Sequence, residues 1–339
     1  MITEFGAGSS GERRLRTGLR VLAALGVLGG VFGGILVFGT APWRYAEYPC
    51  QYALIYGERG PVDLAIVGSS RSVLGVGAAE IAEVLRPTAG REVVVYDLSK
   101  SWRGEGMNYT FVRDLLDNRQ VRHLLVEANL PEAGSYHAHW YLAARYEDLV
   151  RNIAFEQRHG FALRPIARAA RMVADRLVDR VARYLTGEVR PAPLASSSRP
   201  AATKDCMVRE EPVKPDALAA RAAAHAKYYR GQVWHWDMES RDALHDTGFY
   251  GALVSLASSR GVTLHFYYVH ERHYSRLDPA FASAFQQTTG APLLIPPDDL
   301  VDRLEADGYA DPTHMNPHGR ALYSAWLAKR LISELNGKI

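Results

Sequence analysis

Residues 65–76 read AIVGSSRSVLGV, and residues 310–331 read ADPTHMNPHGRALYSAWLAKRL. The first stretch is an apolar run that breaks at Gly68 into two serines, an arginine and a third serine; the second sets Asp311 and His314 three apart, just ahead of a helical pattern. A serine hydroxyl becomes a useful nucleophile when a base within hydrogen-bond reach takes its proton, and a carboxylate fixes the tautomer of that base. Ser70, His314 and Asp311 therefore carry the residue types of an acyl-transfer triad. The same serines also suit a structural role, because Ser69 or Ser70 would N-cap a helix running through Glu80 to Leu85. A second Asp-x-x-His pair, Asp242 and His245, falls inside a helical pattern and reads as surface pairing.

These side chains need elements to hold them. Strand-like runs occur at 64–67, 92–96, 123–127, 263–269 and 293–296, with helical patterns near 79–86, 105–117 and 240–259 and another after Asn316. That alternation predicts an α/β fold, a parallel sheet covered by helices on both faces. A side chain at the carboxyl end of a parallel strand, over a helix N-terminus, lies where open α/β sheets bind ligands. Between the third and fourth strands the chain is longer than one crossover needs, which marks an insertion at about 140–240, mainly helical. Within it, residues 164–185 place Ile166, Ala169, Ala170, Val173, Leu177, Val181 and Tyr184 on one helical stripe and Arg168, Arg171, Arg176, Arg180 and Arg183 largely elsewhere. Such a helix either packs on the core with a solvated arginine face or rests on an anionic membrane surface or a partner. Residues 187–216, rich in Pro, Ser and Ala, read as a long loop.

Composition narrows the classes. The 339 residues are 47% hydrophobic, enough for one sizeable core with insertions, and 40 basic against 37 acidic residues give +3, too even to argue for nucleic acid. Residues 21–43 carry no charge, and 21–41 are long enough as a helix to cross the roughly 30 Å hydrocarbon core of a bilayer. Arg13, Arg14, Arg16 and Arg20 precede them, so the expected topology is a cytoplasmic tail at 1–20, a membrane anchor at 21–41 and an extracytoplasmic domain at 45–339. A cleaved signal peptide is the competing reading, since Gly39-Thr40-Ala41 offers small residues for cleavage. The mean hydropathy of −0.16 leaves the remainder water-soluble in character. In that compartment Cys50 and Cys206 are free to form a disulfide or to remain two buried thiols.

A Gly-x-Ser turn after the first strand and Asp-x-x-His before the last helix, in that order on an α/β sheet, resemble the SGNH, or GDSL-type, hydrolase superfamily. The resemblance spans roughly residues 62–331 in layout, with residue matches at Gly68-Ser69-Ser70 and at Asp311 and His314. It implies a three-layer, flavodoxin-like domain in which Ser70 is the nucleophile, His314 its general base and Asp311 the orienter of that base. Ser69 stands where the GDSL motif has Asp, a departure shared by a membrane-anchored branch of the superfamily. The second block, which supplies a backbone donor to the oxyanion hole, falls near Trp102 and Gly104. The third, normally Gly-x-Asn-Asp, leaves Asn129 as either an oxyanion donor or a plain loop residue. His270, Glu271 and His273 follow the fourth strand, and with His318 they either line an acceptor site or sit at the surface. No metal is assigned, because no third ligand converges at recognisable spacing, and no cofactor is implied.

The anchored branch is similar to accessory proteins of cell-envelope polymer acylation, such as alginate or cellulose O-acetylation and teichoic acid D-alanylation. That similarity implies a single-pass inner-membrane protein with a periplasmic domain, working beside a membrane-bound O-acyltransferase. It would pass an acyl group, acetyl first among them, to a polysaccharide hydroxyl. An anchored carbohydrate esterase and an inactive glycan-binding or scaffold subunit of a synthesis complex are the alternatives.

Overall fold

The computed structural model describes residues 26, 29–30, 40–46, 48–57, 60–100, 105–128, 145, 178–179, 181–188, 203–206, 241–272, 276–277 and 279–334. Among them six strands form one sheet: β1 (Val62–Val67), β2 (Val95–Asp97), β3 (Val121–Glu127), β4 (Thr203–Asp205), β5 (Thr263–Tyr267) and β6 (Leu293–Leu294). Their spatial order is β4-β2-β1-β3-β5-β6, and every neighbouring pair is parallel. The helices that concern the site are α1 (Ser70–Gly75), α2 (Ala78–Ala89), α3 (Glu105–Asn118), α4 (Arg241–Ser259), α5 (Pro279–Thr289), α6 (Asp298–Asp307) and α7 (Pro317–Glu334).

Successive strand side chains point to opposite faces, and a sheet covered on both sides needs apolar residues in both directions. β1 meets that demand, with all six positions of VDLAIV buried. On one face Ala65, Val67, Leu124, Val126 and Phe266 pack with Phe111 and Leu115 of α3, Leu253 of α4 and Phe285 of α5. On the other, Leu64, Ile66, Val95 and Leu125 meet Ile81 and Leu85 of α2 and Tyr323, Leu327 and Leu331 of α7. The α/β expectation with a parallel sheet thus holds. Residues 41–46 and 48–57 dock against α3, where Tyr45 stacks on Phe111 at 5.5 Å and the Tyr45 and Tyr56 hydroxyls donate to buried Asp114 at 3.1 and 2.9 Å.

Several boundaries move for local reasons. The helix expected to run from the Gly-Ser-Ser turn to Leu85 is broken, because α1 stops at Gly75, Val76 is extended and Gly77 N–H is taken by Ser324 Oγ at 2.9 Å. β2 begins at Val95 rather than residue 92, since its pairing with β1 starts at Leu64 opposite Val95 and Asp63 instead accepts the N–H of Val94. β4 lies inside the stretch read as a loop; three residues of sequence Thr-Lys-Asp carry no apolar alternation to betray an edge strand. α5 and α6 were also not foreseen.

Cys50 and Cys206 form a disulfide across a separation of 156 residues, tying the segment before β1 to the residue that follows β4. Among the described residues no helix is long and apolar enough to cross a membrane. The expected anchor at 21–41 lies almost wholly outside the described residues, as does most of the insertion. Where the arginine-rich helix is described, Val181 and Tyr184 of its apolar stripe are exposed, as are Val178 and Leu185.

Candidate active site

With edge strand β4 set aside, the strand order reverses at β1 and β3, β2 following β1 on one side and β5 pairing with β3 on the other, and the carboxyl ends at such a reversal are the place where doubly wound sheets hold ligands. The turn after β1 sits there. Residues 62–69 and 71–73 are buried, whereas Ser70 between them is part-exposed. Ser69 is the N-cap of α1: its backbone is extended and its Oγ accepts the Arg71 N–H at 3.2 Å. The two serines therefore divide the roles the sequence left open, with Ser69 as cap and Ser70 as the presented hydroxyl.

Ser70 Oγ lies 2.9 Å from His314 Nε2, and His314 Nδ1 lies 2.8 Å from Asp311 Oδ2. Both distances are those of hydrogen bonds in a competent nucleophile–base–carboxylate chain. The loop that delivers the base is closed at its ends, by a bridge between Tyr309 and Met315 and by the Asn316 N–H donating to Gly308 O at 2.9 Å. Asn316 then caps α7, its Oδ1 accepting the Gly319 N–H at 2.9 Å. Gly319 is required where it stands, since a Cβ there would come within 2.1 Å of Gly308 O.

Asp311 works on its own loop as well as on the ring. Its Oδ1 accepts the N–H groups of Thr313 and His314, both at 2.8 Å, which leaves Oδ2 for Nδ1. Burial raises the Asp311 pKa, but the hydrogen bond and charge of His314, with the donors of Thr313, outweigh it and hold the carboxyl at about 2. An ionised carboxylate only accepts, so Nδ1 carries the proton and Nε2 is left to accept from Ser70. The Ser70 N–H, in the first turn of α1, makes no intrahelical bond and is a candidate donor to an oxyanion.

Beneath the Ser70 turn lies a charged cluster that the sequence alone did not assign. Glu127, at the carboxyl end of β3 and fully buried, accepts the Ser69 N–H at 2.6 Å, Ser69 Oγ–H at 2.9 Å and Arg71 Nε–H at 2.9 Å, together with Ser72 Oγ–H. Arg71, 1% exposed, also donates to Glu271. Burial pushes the Glu127 pKa up, yet the charge of Arg71 and the hydrogen bonds of Ser72 and Ser69 bring it below the ordinary carboxylate value. The available sequence signal was the acidic residue ending the apolar run HLLVE at the sheet's functional edge.

Of the other expected residues, Trp102, Gly104, Asn129 and His273 lie outside the described residues. His270 is not at the surface: it is 1% exposed, with Nδ1 3.0 Å from the Tyr309 hydroxyl. Glu271 is buried too, on Arg71, because the chain leaving β5 passes under the Ser70 turn. His318 is exposed beside Asp307. Asp242 and His245 both fall within α4, as the helical pattern there implied. Among the described residues no group of three or more His, Cys, Asp or Glu is arranged to hold a metal ion. A cavity of about 500 Å³ bounded by Leu277, Leu294, Pro297, Trp326 and Arg330 lies beside edge strand β6, and no triad residue lines it. The chain matches no protein-family model, and no curated protein matches it.

Proposed function

We propose that this chain is a membrane-anchored serine O-acyltransferase of the SGNH type, with its catalytic domain outside the cytoplasm and a cell-envelope or secreted polysaccharide as acceptor. The observation that carries the reading is the unbroken chain from Ser70 Oγ through the His314 ring to Asp311. Set β4 aside and the strand order is that of a flavodoxin-like sheet, which supports the superfamily resemblance. The disulfide supports an oxidising compartment. The acyl donor is then supplied at the membrane by an O-acyltransferase partner.

In the first half-reaction His314 Nε2 takes the Ser70 proton as Oγ attacks the acyl carbonyl carbon. Asp311 stabilises the imidazolium that forms, and the Ser70 N–H donates to the developing oxyanion. Collapse breaks the bond to the donor's leaving group, which departs with the proton from Nε2 and leaves an acyl-Ser70 ester. In the second half a sugar hydroxyl gives its proton to Nε2 and attacks the ester. The new ester leaves, and Ser70 recovers its proton from the ring.

Hydrolysis differs only in the acceptor. The test is the purified full chain in detergent, given an activated acetyl ester and oligosaccharide fragments of envelope polymers, with acetylated oligosaccharide and free acetate both quantified. Acceptor-dependent formation of acetylated sugar is expected. Acetate release indifferent to every sugar would make the chain an esterase, and a folded protein inert toward both the ester and a fluorophosphonate would leave a glycan-binding or scaffold role.

A further inference from the structure

The residues flanking Ser70 all turn inward to the same carboxylate. Ser69, Arg71 and Ser72 each bond Glu127, so the nucleophile is the one member of the Ser69–Ser72 turn that is not held from below. Arg71 uses the two sides of its guanidinium differently, with Nε and Nη2 on Glu127 at 2.9 and 2.8 Å and Nη1 on Glu271. Glu271 in turn belongs to the short segment leaving β5 that is bonded to the His314 loop at two points. Arg272 N–H donates to Pro312 O at 2.9 Å, and the Tyr309 hydroxyl donates to His270 O at 2.7 Å.

We propose that Arg71, Glu127 and Glu271 are positioning residues: they fix the Ser70 turn against the loop carrying His314 and Asp311, and so set the Oγ-to-Nε2 contact across three strand ends. This inference rests on the acyl-transfer reading above. Two buried carboxylates on one guanidinium are a poor device for stability alone, because desolvating three charges costs as much as their attraction returns. They are a good device for geometry, since the planar fork fixes both partners at once in a way an ammonium does not. Tyr267 completes the cluster, its hydroxyl donating to Ser72 Oγ at 2.6 Å.

The experiment compares full-length wild type with Arg71→Lys and Glu271→Gln, reading melting temperature, the rate of fluorophosphonate labelling, and kcat and KM for an activated acetyl ester. Wild type is expected to label. The folded variants should label about 100-fold more slowly, the usual cost of displacing a reacting group by about 1 Å, with KM nearly unchanged. Arg71→Lys keeps the buried cation, so a merely structural or electrostatic role would leave its rate near that of wild type, and that result overturns the proposal. Should either variant fail to fold, Tyr267→Phe removes one hydrogen bond and leaves every buried charge paired; slower labelling at a retained melting temperature is expected, and wild-type labelling overturns the proposal. An inert wild type overturns the acyl-transfer reading and the positioning role with it, whereas an active wild type with unaffected variants overturns the positioning role alone.

Discussion

A methyl group on Gly68 would lie 2.6 Å from Glu127 Oε2 and 2.1 Å from Ser72 Oγ, so the glycine and the carboxylate occupy their places by mutual permission. The turn that presents Ser70 is tight because Gly68 lets the end of β3 approach the end of β1. Gly68→Ala should therefore cost about 1–3 kcal/mol through overpacking. It should also slow fluorophosphonate labelling by about 100-fold through displacement of Ser70. Denaturant melts and labelling rates on the same preparation check both; a stable, fully reactive variant would mean that the approach is not needed.

The disulfide between Cys50 and Cys206 holds the docked segment 48–57 to the edge of the sheet. It lies on the β2 side, where Gln51 Nε2 also donates to Ser99 O at 3.2 Å. Replacing both cysteines by serine should lower the unfolding free energy by about 2–5 kcal/mol, mainly by freeing a long loop in the unfolded chain. Labelling of Ser70 under native conditions should survive. Unfolding titrations with and without reductant would show the difference, and identical midpoints would contradict the bridge.

His265 is buried on β5, and its pKa is lowered by burial, which outweighs the opposing pull of Glu334, with the nearby His123 lowering it further. A group whose folded pKa lies below its unfolded value supports the fold fully above the unfolded value and opposes it once the unfolded chain takes up the proton first. Stability should thus fall as pH drops below about 6.5, the ordinary histidine value. His265→Gln should flatten that fall; melting temperatures of the two proteins between pH 7.5 and about 5 would reveal parallel curves if the account is wrong.

Much of the frame was readable because burial on both faces forces long apolar runs. Residues 64–67 and 123–127 announced their strands, and the patterns near 105–117 and 240–259 their helices. Ser70, His314 and Asp311 were readable from residue type and order, and the structure brings the three together. What stayed hidden depends on contacts between distant segments. Glu127 and Arg71 are 56 residues apart, and Arg71 and Glu271 200 apart, so no local pattern couples them. β4 escaped for the opposite reason, being too short to carry a period. His270 stayed open between an acceptor site and the surface because a histidine past a strand end looks the same in sequence whether it faces solvent or, as here, Tyr309.

In the proposed reaction Ser70 is the nucleophile and Ser69 its structural neighbour. Full-length wild type, Ser70→Ala, Ser69→Ala and His314→Ala, matched for thermal stability, would be incubated with a serine-reactive fluorophosphonate and the labelled residue located by peptide mass. Wild type should be labelled at Ser70 and Ser70→Ala not at all, because losing a nucleophile forfeits many powers of ten in rate. Ser69→Ala should keep slower labelling at Ser70, having lost a cap worth about 1 kcal/mol. Labelling that persists undiminished in Ser70→Ala, or that maps to Ser69 in wild type, would contradict that assignment.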